Sequence, residues 1–327
     1  MSHQLLMLPS RITHLFNIQY PIVQAGMIWT SGWKLAAAAA KAGALGLIGA
    51  GSMHPDNLRH HIQSAKKALL GTEGAFGVNV PLLYPQISEI MEIIMDEGVN
   101  VVFTSAGNPA TWTKRLQSAG CKVVHVTAST KFALKSRDAG CDAVVAEGFE
   151  AGGHNGREET TTMVLIPLVV EAVGADIPVI AAGGIGTGAQ MAAALALGAD
   201  GVQVGSRFAA TQEASCHPDF KARVVAAKEG DTVLALKKTV PVRLLRNDFQ
   251  QEVLAAEARG ANADELNALL GKGRAKRGMF EGDMQSGELE IGQVAASIQD
   301  IPTASEVVER LVSGCKTSLN RLAKWAV

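Results

Sequence analysis

The sequence predicts an α/β protein, a (β/α)8 TIM barrel with a smaller, mostly helical C-terminal lid. Two observations lead to this fold class. Short β-branched runs alternate with alanine-rich helical stretches up to about residue 210, and eight such runs can be counted. Apolar runs that are each followed by a helix are typical of parallel strands buried on both faces. An open doubly wound sheet has the same alternation, so the count of eight favours the barrel.

The predicted barrel elements follow in chain order. The strands lie at 21–24, 45–48, 76–80, 101–103, 122–126, 143–145, 178–181 and 201–204. Helical spacing of apolar residues predicts helices at 87–95, 112–119, 130–139, 163–173 and 189–197. Several of these stretches end in glycine just before the next strand, where a left-handed cap is expected; the glycines are Gly43, Gly120, Gly140 and Gly198.

The last 123 residues, after Val204, are too many for one closing helix. They contain charged helical stretches at 219–228, 248–259 and 263–270, a basic segment at 271–278 and an amphipathic stretch at 304–326. We therefore predict a barrel domain of residues 1–213 and 300–327, and a helical substrate or lid domain of residues 214–299. Whether apolar lid residues such as Phe249, Leu254 and Leu269 pack internally or against a second subunit of a homodimer is left open.

Composition excludes several classes of protein. The chain has 30 Lys and Arg against 31 Asp and Glu, which is too balanced for a nucleic-acid binder. Its 47% hydrophobic content exceeds that of disordered chains. The four cysteines lack C-x-x-C spacing, so we expect neither a disulfide framework nor a metal site. We see no secretory signal and no apolar stretch of the roughly twenty residues that a membrane span needs, and we expect a cytoplasmic protein.

Glycine-rich turns follow the last two predicted strands. The first is Ala182-Gly183-Gly184-Ile185-Gly186-Thr187-Gly188, and the second is Gly205-Ser206-Arg207. Turns at these two places in a TIM barrel often bind phosphate, because glycine lets backbone N–H groups approach an anion. Ordinary tight turns are the alternative for either loop alone. The spacing matches neither a Rossmann fingerprint nor a P-loop, so a mononucleotide phosphate fits better than a dinucleotide.

His154 is the catalytic candidate. It lies in a polar, glycine-rich loop after the sixth strand, where an imidazole can donate a hydrogen bond or transfer a proton near neutral pH. The alternative is a loop histidine that packs near the helix start at 160–162. His125 alternates with valines and is expected in the core, whereas His54, His60 and His61 are expected on a solvated helix face. Further polar candidates at strand ends are Ser105, Gly107, Asn108 and Thr127.

Six segments together resemble the flavin-dependent nitronate monooxygenase family, which includes the enoyl-acyl carrier protein reductase II enzymes. They are YPIVQAGM at 20–27, KAGALGLIGAG at 41–51, FGVNV at 76–80, AEGFEAGGHNG at 146–156, PVIAAGGIGTG at 178–188 and GVQVGSRF at 201–208. The resemblance implies a TIM barrel that holds FMN, and it matches His154 to the family's active-site histidine. It implies FMN contacts at Ala25, Gly26, Met27, Asn79, Glu147, Gly152, Ala182, Gly183, Gly184, Gly205, Ser206 and Gln293.

Within the family, oxidation of alkyl nitronates with molecular oxygen is the first expectation. The alternative is an enoyl-acyl carrier protein reductase, which would use NAD(P)H as co-substrate and an enoyl thioester on an acyl carrier protein. The segment with Lys272, Arg274, Lys276 and Arg277 could attract either acidic partner, or could be a solvated helix end. The stretch 237–243 departs from the histidine-bearing segment of some enoyl reductases, which speaks against that activity. A non-redox barrel that binds a phosphate ligand is the alternative of another class.

Overall fold

The computed structural model describes residues 10–324, whose strands all belong to one of two sheets. The strands, in chain order, are β1 (Ile22–Gln24), β2 (Leu45–Gly49), β3 (Ala75–Pro81), β4 (Val101–Ser105), β5 (Lys122–Thr127), β6 (Ala143–Glu147), β7 (Gly153–His154), β8 (Val179–Ala182), β9 (Gly201–Val204), β10 (Thr232–Ala235) and β11 (Val242–Leu245).

Eight parallel strands form a closed barrel in the order β1-β2-β3-β4-β5-β6-β8-β9. The circle closes where β1 pairs with β9, in a register that sets Ile22 opposite Val202. The predicted (β/α)8 barrel is therefore confirmed, with all eight predicted strands present. The open sheet is excluded because it would leave β1 and β9 unpaired with each other.

The helices lie mainly between the barrel strands and in the C-terminal third of the chain. They are α1 (Arg11–Phe16), α2 (Trp33–Lys41), α3 (Pro55–Leu69), α4 (Ile87–Asp96), α5 (Thr113–Ser118), α6 (Thr130–Asp138), α7 (Thr162–Val173), α8 (Gly188–Ala196), α9 (Ser206–Ala209), α10 (Pro218–Val225), α11 (Asp248–Ala258), α12 (Ala263–Leu270) and α13 (Ala304–Ala323). No helix within residues 10–324 has the length and apolar character needed to cross a membrane.

One end of the barrel is plugged by its own side chains. Phe16 of α1 lies 5.9 Å from Phe103 between ring centroids, and both are buried with Leu45, Val101 and other first residues of strands. Because α1 immediately precedes β1, this plug closes the amino ends of the strands. The carboxyl ends remain for ligands, as in other barrels of this kind.

The segment 214–299 contains strands as well as the predicted helices. Strands β10 and β11 form an antiparallel hairpin, and β11 also pairs with β7, so that Val242 lies opposite His154. The lid is thus joined by backbone pairing to the loop that carries His154. The prediction of a mostly helical lid missed this hairpin, because its partner strand is a two-residue piece about ninety positions away in the sequence.

The lid has its own apolar cluster. Phe249 is 1% exposed and packs with Leu244, Val253 and Leu266. Leu254, Leu269 and Leu270 are partly buried against the same cluster. The three lid residues that the sequence left open therefore pack internally. The final helix α13 returns to the barrel, where a Cβ on Gly188 of α8 would lie only 2.3 Å from the Cys315 backbone nitrogen.

Candidate active site

The residues predicted to contact FMN lie at the carboxyl ends of the barrel strands and in the loops that follow. One set of contacts joins the loop after β1 to the end of β3 and to the loop after β9. Asn79 donates from its side-chain amide to the Gly26 carbonyl at 3.3 Å. A Cβ on Gly205 would lie 3.6 Å from the Met27 sulfur and 3.8 Å from the Ala25 Cβ. Strands at both sides of the closure thus bring these loops together.

Gly26 cannot be replaced by a larger residue without moving strand β3, which carries Asn79. A Cβ there would lie 2.4 Å from the Asn79 Cβ, well inside the distance of any real contact. The glycine therefore lets β3 present Asn79 directly beside the β1 loop.

The turn after β8 has a left-handed backbone at two successive glycines, Gly183 with φ +94° and Gly184 with φ +66°. A Cβ on Gly183 would lie 2.6 Å from the Gly148 carbonyl oxygen and 2.8 Å from the Thr162 hydroxyl. Backbone that turns this tightly is open to glycine and strained for other residues. The turn after β8 is therefore packed against the loop after β6, which also carries His154.

Glu150 holds these two loops together, a role that the sequence analysis missed. Its carboxylate accepts hydrogen bonds from the Thr162 backbone N–H and hydroxyl, both at 2.9 Å. The same hydroxyl lies 2.9 Å from the Gly183 carbonyl oxygen. The Glu150 carbonyl oxygen accepts from the Gln293 N–H at 2.9 Å. A carboxylate within the E-A-G-G-H motif was visible in the sequence, but its partners were not.

The lid segment around Gln293 closes the ring of loops. Gly292 donates its N–H to the Ser206 hydroxyl oxygen at 2.9 Å. A Cβ on Gly152 would lie 2.4 Å from the Ile291 carbonyl carbon. The side chain of Gln293 is exposed at this rim. The structure thus brings the twelve predicted contact residues to one face, including Glu147 and Ala182, which are directly paired across β6 and β8.

The backbone at this face fits the phosphate of a mononucleotide. Within residues 10–324, the N–H groups of Gly184 and Gly205 donate to no protein acceptor. Free donors at glycine turns are what an anion requires. The predicted residues therefore suit FMN, although contact with it stays a prediction.

His154 lies on β7, not on a barrel strand, and its side chain is exposed at the mouth of the site. The surrounding protein excludes water from part of the ring, and this desolvation lowers the pKa of His154 below its ordinary value of 6.5. The negative charge of Glu288 opposes that shift. The imidazole is therefore mainly neutral at pH 7, so it can donate one hydrogen bond and accept another.

Two lid carboxyl groups lie behind His154, and the sequence analysis missed them. A Cβ on Gly153 would lie 2.4 Å from a carboxylate oxygen of Glu290. Burial, together with the charge of Glu290, raises the pKa of Glu288 to about 8, and burial raises the pKa of Glu290 to about 7. The sequence Glu288-Leu289-Glu290-Ile291 alternates polar and apolar residues, a pattern that would have placed both carboxyls on one face.

Arg243 fixes the loop between β6 and β7. Its guanidinium is buried, donates from Nε and Nη2 to the Phe149 carbonyl oxygen at 3.1 and 2.8 Å, and lies 4.7 Å from the centroid of the Phe149 ring. The register also places Arg243 opposite Gly153. This cation is therefore used to position the His154 loop and is not presented to a substrate.

Other candidates have structural roles. His125 is 4% exposed and bonds the Thr104 hydroxyl at 2.7 Å, and burial lowers its pKa to about 4, so the prediction of a core histidine is confirmed. The prediction of a solvated helix face is wrong for His61, whose Nδ1 accepts a hydrogen bond from the backbone N–H of Trp33 at 3.0 Å. Arg274 is not free for an acidic partner, since it packs on Phe249 and donates to three backbone carbonyl groups.

The acidic pair predicts a pH dependence of stability. The folded chain binds protons at Glu288 and Glu290 more tightly than the unfolded chain, where the pKa is about 4.5. Their contribution to the free energy of unfolding is therefore fully present below pH about 4.5 and lost as pH rises through 7 and 8. At about 1.4 kcal/mol for each unit of pKa shift, the smaller shift alone, that of Glu290 from about 4.5 to about 7, corresponds to a loss of about 3–4 kcal/mol, and we expect at least this much.

Chemical denaturation of the apoprotein at a series of pH values measures this effect. The double variant E288Q/E290Q should lack the part of the decline that this pair causes and keep the part from Glu147, whose pKa burial also raises to about 7. The exposed E252Q variant, on α11, should keep the whole decline. Equal declines in all three proteins would contradict the assignment.

A closed parallel barrel whose strand ends and glycine turns meet at one face defines a (β/α)8-barrel protein with a candidate ligand site at the carboxyl ends of its strands. The family model described as nitronate monooxygenase matches residues 9–93 and 85–314. The chain belongs to the nitronate monooxygenase family.

Proteins similar to this chain carry the names of different activities. A (3aS,4S,5R,7aS)-5-hydroxy-7a-methyl-1-oxo-octahydro-1H-indene-4-carboxyl-CoA dehydrogenase from Mycobacterium tuberculosis is 32% identical over 94% of this chain and 96% of that protein. A probable nitronate monooxygenase from Staphylococcus saprophyticus is 29% identical over 96% of this chain and 99% of its own. The structure of FabK from Thermotoga maritima superposes with a TM-score of 0.91 at 39% identity and covers 97% of this chain and 99% of FabK.

Proposed function

We propose that the chain is an FMN-dependent enoyl thioester reductase that uses NAD(P)H, as an enoyl-acyl carrier protein reductase II does. The observation that carries this proposal is the superposition on FabK from Thermotoga maritima, an enoyl-acyl carrier protein reductase II, along nearly the whole of both chains. The lowered pKa of His154 and the raised pKa values of Glu288 and Glu290 agree with it, because they favour a neutral imidazole and a proton retained on the carboxyl pair at pH 7. Such a site suits a neutral thioester carbonyl better than a nitronate anion.

The chemistry that bound FMN would supply is hydride transfer from the nicotinamide to the β-carbon of the enoyl thioester. The protein's part is to bind and to manage the proton. The N–H groups of Gly184 and Gly205 would hold the phosphate, and Asn79 would support the β1 loop. His154 would donate a hydrogen bond to the thioester carbonyl, and a proton from its ring or from the carboxyl pair would reach the α-carbon. The carrier, coenzyme A or acyl carrier protein, would extend outside the barrel mouth.

The nitronate monooxygenase reaction is the second candidate. It is favoured by the family model and by the Staphylococcus saprophyticus relative, which aligns along nearly the whole chain. In that reaction His154 would orient a nitronate anion beside the flavin, and molecular oxygen would be the oxidant. The lowered pKa of His154 weakens this candidate, because a neutral imidazole offers the anion no full positive charge.

Purified holoenzyme separates the two candidates. We expect rapid bleaching of the flavin absorbance by NADH or NADPH without oxygen, followed by reoxidation when crotonyl-coenzyme A is added. The matched assay measures oxygen uptake with propionate nitronate or propane nitronate. Turnover of a nitronate, with no reduction of the flavin by either nicotinamide nucleotide, would remove the reductase proposal in favour of the second candidate.

A further inference from the structure

A groove of about 650 Å³ lies beside the barrel mouth. Its walls come from the loop after β1, the start of α3, the segment 212–215 and the turn 276–280. The volume falls within the roughly 300–1,000 Å³ of small-molecule sites. The loop that holds Met27 continues to Trp29 in the groove wall, so the groove adjoins the FMN candidate residues without including them.

The groove is lined by aromatic rings, of which Trp29 has an unusual backbone conformation and Phe280 is unusually exposed. Trp29 has φ +56°, a left-handed conformation that is rare for a bulky residue. The backbone N–H of Trp29 donates to the Ser52 hydroxyl oxygen at 3.0 Å, and the centroid of its ring lies 5.6 Å from that of the Phe280 ring. Phe280 is 44% exposed. Strained backbone and an exposed large ring at one cavity are typical of a binding site.

Each tryptophan in the groove has a lysine beside it. The Lys276 ammonium lies 5.9 Å from the Trp29 ring centroid, and the Lys34 ammonium lies 5.9 Å from that of Trp33. Lys276 also pairs with Glu281 at 3.0 Å. The acid in the groove wall is Glu213, whose carboxylate is engaged by the Ala304 N–H at 3.0 Å. The groove therefore offers flat apolar faces next to positive charge.

We propose that this groove binds the adenosine diphosphate end of a substrate. Aromatic faces stack on a purine, and adjacent ammonium groups attract its phosphates. A bare hydrocarbon would leave the lysines unused, and inorganic phosphate would leave the rings unused. The proposal deepens the proposed function, because coenzyme A thioesters and nicotinamide dinucleotides both carry adenosine diphosphate. The groove adjoins the loop after β1, which carries the FMN candidates Ala25, Gly26 and Met27, so the rest of either molecule could extend from the groove toward the barrel mouth.

Calorimetric titration of the FMN-loaded protein with ADP tests the groove without any turnover. We expect saturable binding that weakens about tenfold or more in W29N and in K276E. Asparagine tolerates the left-handed backbone at position 29, so W29N removes the ring with little added strain. The control is K272E, since Lys272 belongs to the same basic segment but does not line the groove. Wild-type affinity in both W29N and K276E would overturn the proposal.

Kinetics identify the source of the adenosine diphosphate. If the groove serves the thioester, crotonyl-coenzyme A should have a KM about tenfold below that of crotonyl-pantetheine, and K276E should remove the difference. If it serves the nicotinamide donor, the same comparison applies to NADH and reduced nicotinamide mononucleotide. A dimer that becomes a monomer in W29N would make the groove a subunit interface and overturn the proposal. Failure of enoyl turnover with intact ADP binding would overturn only the proposed function.

Discussion

Replacement of Gly183 by alanine is expected to lower the affinity for FMN by at least about tenfold and to give a largely colourless preparation. Two causes add. The backbone at Gly183 has φ +94°, which costs an alanine roughly 1–2 kcal/mol. The new methyl group would also lie 2.6 Å from the Gly148 carbonyl oxygen and so push apart the loops after β6 and β8. Flavin titration of the apoprotein, followed by fluorescence quenching, measures the loss.

The matched control is G120A. Gly120 has a similar left-handed backbone, with φ +88°, but a Cβ there meets nothing within 4 Å. It lies between α5 and β5, at the amino end of a strand and away from the candidate site. We expect G120A to lose stability from backbone strain and to keep the wild-type affinity for FMN. Equal affinity in G183A and wild type would contradict the placement of the phosphate at the β8 turn.

The barrel was predictable because its signals are local. Each strand is a short β-branched run, and each helix shows apolar spacing over one or two turns. The strand ends were also predictable, because carboxyl ends of parallel strands share one face of a barrel. This is why Asn79, Gly184 and Gly205 could be assigned to one site before any contact between them was known.

The parts that the sequence did not reveal depend on contacts between distant segments. The hairpin of β10 and β11 is specified by pairing with Gly153 and His154, far away in the chain. Glu290 reaches the site because its segment bridges Leu244 of that hairpin. The pairing of the hairpin with β7 leaves no periodic pattern in the sequence, and the alternation at 288–291 shows which side chains share a face but not which residues they meet. The aromatic groove is equally non-local, since Trp29 and Phe280 meet only in the folded chain.

The lid thus does more than cover the barrel. Strand β11 pairs with β7, which carries His154, and Gly292 donates a hydrogen bond to Ser206. The carboxyl groups of Glu288 and Glu290 lie near the imidazole, and the charge of Glu288 acts on the pKa of His154. A change in the lid hairpin should therefore alter the position and the pKa of His154 together. This coupling makes His154 the residue whose removal should affect the chemistry most.

His154→Ala is expected to reduce kcat by about 100-fold to 10,000-fold, the usual range for loss of a group that donates or transfers a proton. Bound FMN should be retained, because the phosphate donors are backbone groups of other loops. The pairing of β7 with Val242 uses backbone atoms, so the fold should tolerate alanine. Steady-state turnover of crotonyl-coenzyme A and the flavin spectrum, measured on the same preparation, test both expectations.

The control is His60→Ala, which removes an exposed imidazole from α3 and should leave turnover unchanged. A second variant, His154→Gln, keeps a hydrogen-bond donor without a titrating ring. If His154 only orients the thioester carbonyl, His154→Gln should recover most of the activity. If it transfers the proton, glutamine should be nearly as slow as alanine. Full turnover in His154→Ala with FMN bound would exclude both roles, and the proton would then have to come from another carboxyl group on this face whose pKa burial raises, which Glu147, Glu288 and Glu290 all are.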